Sequence, residues 1–237
     1  MQLESNLESA TLVKRYKRFL ADIKLASGEI ITIHCPNTGS MKNCQTPGSR
    51  VWYTVVNKKT RKYPGTWQFI EVNNSEVVGI NTGLANKLVV EAIQDGVVRQ
   101  IAKFSELRTE VSYGNENSRI DILLKDEFGT DCFIEVKNIS LGVSGALGLF
   151  PDAITIRGQK HMKELMAMKK AGARAILFFC VQHTGIETVS PAEKIDLVYA
   201  QLMKKALEVG VEIIAYRAAI DTKLSTIKLE KELTVLV

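Results

Sequence analysis

Hydrophobic and polar positions along the chain change period once, near residue 80, and that switch sets the architecture. Before it, Arg18 to Leu25 alternates Phe19, Ala21, Ile23 and Leu25 with other positions, and Ser27-Gly28 supplies a turn before Ile30 to His34. Arg50 to Val56, Trp67 to Val72 and Glu76 to Ile80 are further short runs bounded by Gly, Pro or Asn, with PNTGSMKNCQTPGS between as a long loop. About five short strands in some eighty residues predict a small barrel of the OB type, and an SH3-like barrel has much the same pattern.

After Asn81 the period is helical. Thr82 is the expected N-cap, Leu84, Leu88, Ala92 and Ile93 form an apolar stripe, and Gly96 ends it. Three strands are expected at Arg108 to Tyr113, Arg119 to Leu124 and Cys132 to Asn138. A helix from about Thr155 to Lys170, a strongly apolar strand from Ala173 to Val181, a helix from about Ala192 to Val209 and a strand from Val211 to Tyr216 follow. The order α-β-β-β-α-β-α-β predicts an α/β (mixed) sheet flanked by helices. The Gly- and Ser-rich stretch from Leu141 to Leu149 reads as a mobile loop. Residues 1–80 and 81–237 are therefore expected to be two domains.

Composition sharpens this division. The 237 residues carry 31 Lys plus Arg and 26 Asp plus Glu, with 46% hydrophobic residues, an ordinary globular mixture. No apolar run approaches the ~20 residues of a membrane helix, and the start MQLESNLESA has no signal-peptide pattern, so a cytoplasmic protein without membrane contact is expected. Cys35, Cys44, Cys132 and Cys180 lie apart with no metal-ligand spacing and read as buried reduced thiols.

Residues 1–80 hold 11 bases and 6 acids, while residues 81–237 hold 20 of each, so all the excess positive charge is in the first part. Lys14, Arg15, Lys17 and Arg18 surround Tyr16, and Lys58, Lys59, Arg61 and Lys62 precede Tyr63 and Trp67. Bases interleaved with aromatics suit a polyanion that also offers flat rings for stacking, and DNA is the expected partner. Strand edges kept soluble by charge would show the same clusters.

The residues fit for chemistry lie in the strand pair Arg119 to Leu124 and Cys132 to Asn138. Alternation puts Glu135 and Lys137 on one face with Phe133. A symmetric hairpin pairs Leu124 with Cys132 and so sets Asp121 opposite Glu135. Facing carboxylates repel unless a cation lies between them, and two carboxylate oxygens with water and phosphate make a Mg²⁺ (or Mn²⁺) site in which a nearby lysine orients the attacking water. A surface ion pair between Lys137 and Glu135 is the alternative.

Asp121 followed by Glu135-Val136-Lys137 resembles the D…ExK signature of the PD-(D/E)xK nuclease superfamily, although Ile120 stands where the superfamily pattern has proline. Longer motifs are more specific: HCPNTGSMKNC (34–44), RKYPGTWQ (61–68), GINTGLANKLVVEAI (79–93), SRIDILL (118–124), FIEVKN (133–138) and FPDAITIRGQKHMKEL (150–165). Together they resemble the sugar fermentation stimulation protein family from end to end. That resemblance implies an OB-like N-terminal domain, a nuclease-like C-terminal domain, sequence-nonspecific DNA binding and a regulatory link to maltose utilisation. The superfamily comparison adds Glu91 as an auxiliary metal ligand. It also adds Gln159, beside Arg157 and Lys160, as a catalytic residue at the start of the helix after the hairpin. Two functions remain open: a metal-dependent phosphodiesterase, and a non-catalytic DNA-binding regulator.

Overall fold

The computed structural model describes residues 1–55, 62–73, 75–101, 103–113 and 118–237. Its first part is a six-stranded sheet of β1 (Leu7–Tyr16), β2 (Leu20–Lys24), β3 (Ile30–His34), β4 (Arg50–Val55), β5 (Gly65–Val72) and β6 (Glu76–Gly79). The order is β3-β2-β1-β4-β5-β6, and a parallel contact from β3 to β5 at His34 and Thr66 closes it into the expected OB-like barrel. Inside lie Leu12, Ile23, Ile33, Val51, Trp67 and Ile70. The hydrophobic pattern places the first strand at Arg18 and does not show β1, because only Ala10 and Leu12 of its ten residues are buried. Arg18 instead belongs to the β1–β2 turn, where Lys17 and Arg18 both take positive φ.

The second part begins with a 3₁₀ turn at Thr82–Leu84, capped by Asn81 rather than Thr82, and continues into α1 (Ala85–Gln94). It then runs through β7 (Phe104–Tyr113), β8 (Ser118–Asp126), β9 (Asp131–Ile139), β10 (Leu141–Val143), β11 (Leu147–Phe150), α2 (Ile156–Lys170), β12 (Arg174–Val181), β13 (Thr188–Pro191), α3 (Leu197–Glu208), β14 (Glu212–Asp221) and β15 (Thr226–Val235). The stretch expected to be mobile is thus a hairpin of β10 and β11, and β13 and β15 are further strands the sequence reading lacked. All nine strands form one mixed sheet, ordered β10-β11-β13-β15-β14-β12-β9-β8-β7.

The centre of this sheet is covered on both faces. Along β12, Ile176, Phe178 and Cys180 join the core under α1, while Ala175, Leu177, Phe179 and Val181 join the core under α2 and α3. A strand buried on both sides has no polar face to show, which is why it reads as an unbroken apolar run. Each such large side chain contributes roughly 1.5–3 kcal/mol by leaving water. No helix among the described residues is long and apolar enough to cross a membrane.

Hydrogen bonds at several places tie the barrel to the second sheet. The N-terminal residues pair with the β14–β15 turn, the Leu3 N–H donating to the Ser225 carbonyl at 3.0 Å. At the end of β6 the Gly79 N–H donates to the Gln182 carbonyl at 2.7 Å, and a Cβ at Gly79 would lie 2.5 Å from the Gln182 side chain, so a side chain there has no room. The loop after β3 reaches Asp152, which accepts from the Ser40 hydroxyl at 2.7 Å and the Met41 N–H at 3.3 Å.

Candidate active site

Strands β8 and β9 pair antiparallel from Ile122 with Ile134 to Lys125 with Asp131, in the register expected from a symmetric turn. Continued to three residues beyond the Leu124–Cys132 pair, this register sets Asp121 level with Glu135. The backbone ladder runs as far as Ile122 with Ile134, and there the Asp121 side chain takes over: its Oδ2 accepts the Val136 N–H at 2.7 Å. Alternation also breaks at this point. Ile122 belongs to the core under α1, whereas Ile120, two residues away, belongs to the core under α2 and α3. Across the sheet Glu110, flanked by the pairs Thr109–Ile122 and Val111–Ile120, takes a positive φ of 54°. A non-glycine residue held left-handed inside a strand is uncommon and marks a local departure from the ladder, here beside an aspartate.

Asn86 of α1 connects these groups, its amide donating to Asp121 Oδ1 at 2.9 Å and to Glu110 Oε1 at 3.3 Å. Burial raises the Asp121 pKa, and the neighbouring Glu135 charge adds to the effect against the opposing hydrogen bonds of Val136 and Asn86.

Glu135 is 2% exposed and faces α2. Its Oε1 accepts from the Lys137 ammonium at 2.5 Å and is also bonded to His161 Nδ1. Arg157, an obligate donor, gives its Nε–H to His161 Nε2 at 3.3 Å, which assigns the ring proton to Nδ1 on the Glu135 side. Burial alone would push the Glu135 carboxyl up, but the His161 hydrogen bond and the Lys137 charge outweigh it and hold the carboxyl below its ordinary value. The other oxygen, Oε2, is buried without a hydrogen-bond partner among the described residues. So is Oε1 of Glu164, one turn along the helix from His161, whose Oε2 accepts from the Tyr113 hydroxyl at 3.4 Å.

The sequence-based residues divide accordingly. Asp121, Glu135 and Lys137 converge. Glu91 does not join them: its carboxylate pairs with the Met1 ammonium at 2.8 Å, and the α1 residue at the site is Asn86, whose amide reaches Asp121 at 2.9 Å. Gln159 is also directed elsewhere, its amide donating to both oxygens of Asp196 at 2.9 and 3.1 Å, and α2 meets Glu135 through His161 instead. His161, Asn86 and Glu110 were not singled out from sequence. The available signal for His161 was its spacing of four from Arg157, which puts both on one face of a helix.

In the barrel, Lys14 lies 3.6 Å from Asp22 and over the Tyr16 ring, and Tyr16 donates its hydroxyl to Asp22 at 3.0 Å. Arg15 is an internal tie rather than an open cation, with Nη2 donating to the carbonyls of Arg18, Asn37 and Gly39 at 2.8–2.9 Å. The exposed Arg18 gives its Nε–H to the Thr38 carbonyl, and Lys17 makes no ion pair among the described residues. Lys62 sits over the Tyr63 ring at 5.8 Å, while Lys58, Lys59 and Arg61 lie outside the described residues. Trp67 is wholly buried, with its indole N–H donating to the Phe69 carbonyl at 2.8 Å. The four cysteines are free and buried, and burial pushes Cys44 and Cys132 up to about 12.

Comparison with known proteins places these features in a family. The profile of the SfsA N-terminal OB domain matches residues 13–80, and that of the sugar fermentation stimulation protein RE domain matches residues 83–224. Sugar fermentation stimulation protein homologs of Shewanella denitrificans and Teredinibacter turnerae are 50% and 53% identical, over 96% and 94% of this chain and 97% and 94% of their own. The solved structure of Pyrococcus furiosus SfsA in complex with Ca²⁺ superposes with a TM-score of 0.88 at 26% identity, covering 100% of this chain and 98% of that one. The chain therefore belongs to the sugar fermentation stimulation protein family.

Proposed function

We propose that the protein is a sequence-nonspecific DNA-binding, metal-dependent phosphodiesterase, with DNA held by a domain of residues 1–80 and hydrolysis in a domain of residues 81–237. The observation that carries this reading is that Asp121 accepts from the Val136 N–H just past the last β8–β9 pair, which brings it beside Glu135, whose Oε2 is buried without a hydrogen-bond partner among the described residues. An orphaned buried carboxylate oxygen is costly, and a divalent cation would relieve that cost together with the burial and the Glu135 repulsion that raise Asp121. Carboxylate oxygens suit Mg²⁺, Mn²⁺ or Ca²⁺. The Ca²⁺ complex of the archaeal relative supports a divalent ion. Among the described residues no group of three His, Cys, Asp or Glu side chains is set to hold an ion, so Asp121 and Glu135 would hold it with water and phosphate oxygens.

A bound ion would neutralise charge on the scissile phosphate and acidify a water. The chain's own contribution is orientation. Val136 and Asn86 fix both Asp121 oxygens, His161 and Lys137 fix Glu135, and the Lys137 ammonium is the donor placed to hold the attacking water. The exposed Lys17 and Arg18 of the β1–β2 turn would meet the DNA backbone.

The alternative, a non-catalytic DNA-binding regulator linked to sugar use, is favoured by the saturation of Glu135 Oε1, which is bonded to both Lys137 and His161 and has its charge balanced by the Lys137 ammonium. Thermal melting with added Mg²⁺ or Mn²⁺ separates the two. Phosphodiesterase function predicts a rise in Tm for the wild type that Glu135→Gln abolishes, since a ligand that binds only the folded state stabilises it. A wild-type melting curve unmoved by either ion leaves the regulator.

A further inference from the structure

The motif FPDAITIRGQKHMKEL supplies Arg157 and His161 to the site, but its most exposed residues have no role there. Ile154 and Ile156 are each 71% exposed, and Leu197 and Val198 at the start of α3 are 50% and 49% exposed. These four come from two helix N-termini held together by one buried carboxylate. Asp196 accepts the Thr155 N–H at 2.9 Å, the Tyr199 N–H at 2.9 Å and the Gln159 amide. The apolar surface is thus fixed in place by a cap shared between α2 and α3. Several exposed apolar side chains gathered at two helix starts that share one carboxylate commonly mark a contact site.

Its surroundings favour one partner. On α2 the spacing of four and seven residues puts Lys160 and Lys163 in line with Ile156, while Arg157, His161 and Glu164 occupy the neighbouring stripe that turns toward Glu135. Lys194 precedes α3, beside the exposed Glu193. Cations therefore border the patch, and Arg157 links it directly to His161 and the candidate active site. Glu135 is almost fully buried, so a scissile phosphate has to descend to it, which a locally opened duplex does with less resistance than a regular one. Aliphatic side chains inserted between base steps, with cations on the adjoining phosphates, are a known means of engaging deformed DNA.

We infer that Ile154 and Ile156, with Leu197 and Val198, form an apolar wedge that contacts unstacked bases, so that the preferred substrate class is DNA with unpaired or mispaired positions. This rests on the DNA-binding part of the proposed function. The test measures binding by the full-length protein in EDTA, apart from hydrolysis, to a paired duplex and to the same duplex with a short internal bubble carrying 2-aminopurine. Wild type should prefer the bubble by at least about fivefold and change the 2-aminopurine emission. Ile154→Ser/Ile156→Ser should erase both effects while keeping the affinity for paired duplex and its salt dependence, and Ile154→Leu should restore the preference.

Equal wild-type affinity for both DNAs, or an undiminished preference in the double variant, overturns the wedge and leaves DNA binding intact. No affinity for either DNA overturns the DNA-binding reading as well. Concentration-dependent dimerisation, or binding to anionic vesicles, that the double variant loses without any change toward the bubble assigns the patch to a second copy or to a membrane and overturns the proposal.

Discussion

Arg15 lies in the most basic segment of the chain, yet its guanidinium faces inward. It donates to the Asn37 and Gly39 carbonyls, both at 2.9 Å, and holds the loop that reaches Asp152 of the second sheet. A hydrogen bond from a charged group contributes roughly 1.5–3 kcal/mol net. Two such bonds, discounted for their partial contact with water, give about 2–4 kcal/mol for Arg15→Ala. For a chain of this length that is a fall in Tm of roughly 5–15 °C. Lys17→Ala removes an exposed cation from the adjoining turn and should leave Tm unmoved. In a salt titration of DNA affinity, Lys17→Ala should flatten the slope of log K against log salt by about 0.9 if the lysine meets one duplex phosphate. Arg15→Ala, measured below its melting range, should keep the slope. The reverse, an Arg15→Ala protein of unchanged Tm whose salt slope is flattened, would show that the guanidinium leaves the loop for a phosphate and would refute the structural role.

Other perturbations reach the core and the site. Trp67→Ala removes a wholly buried ring and should cost about 3–5 kcal/mol in urea unfolding, with any loss of DNA affinity vanishing once the folded fraction is corrected for. The folded pKa of Asp121 is raised above 3.8, so its charge costs stability at neutral pH, and that cost is relieved as pH falls through the raised value toward 3.8. The difference in Tm between wild type and Asp121→Asn without metal should therefore shift in favour of wild type over that window, and a difference constant with pH would count against the burial argument. Glu135 has the opposite sign: its carboxyl is held below 4.5, and the stability it contributes above 4.5 is lost as pH falls through the lowered value. Lys137→Ala should keep the metal-induced rise in Tm and lose hydrolysis; loss of both would make the lysine a support for Glu135 rather than a holder of water.

The parts of the fold legible in the sequence were those in which one residue type decides the environment. β12 is apolar on both faces, α2 begins at a capping Thr155, and the β8–β9 turn is short enough to fix the pairing of Leu124 with Cys132. β1, β13 and β15 were not legible although each pairs on both sides, because they bury only Ala10 and Leu12, Val189, and Ile227, Leu229 and Leu233, too few to show a clear alternation. The β10–β11 hairpin carries glycines for packing rather than mobility: a Cβ at Gly148 would lie 2.8 Å from Ile186, and one at Gly142 would lie 2.6 Å from His183. At the site, neighbours on one hairpin were within reach of strand periodicity. Glu91, Gln159 and His161 depended on which side of a helix faces the sheet, and that is set by packing with residues far away in sequence. Asp196 illustrates this: it takes up Gln159 from forty residues away because α3 needs a cap.

The central claim is that Asp121 and Glu135 form a metal-dependent phosphodiester-cleaving site. Its most direct measurement is the incubation of end-labelled single-stranded and duplex DNA with purified wild type and Glu135→Gln, each with Mg²⁺ or Mn²⁺ and with EDTA. The account predicts cleavage by wild type with metal only, and none by Glu135→Gln. Intact DNA in every wild-type reaction, or cleavage undiminished in Glu135→Gln, would contradict it.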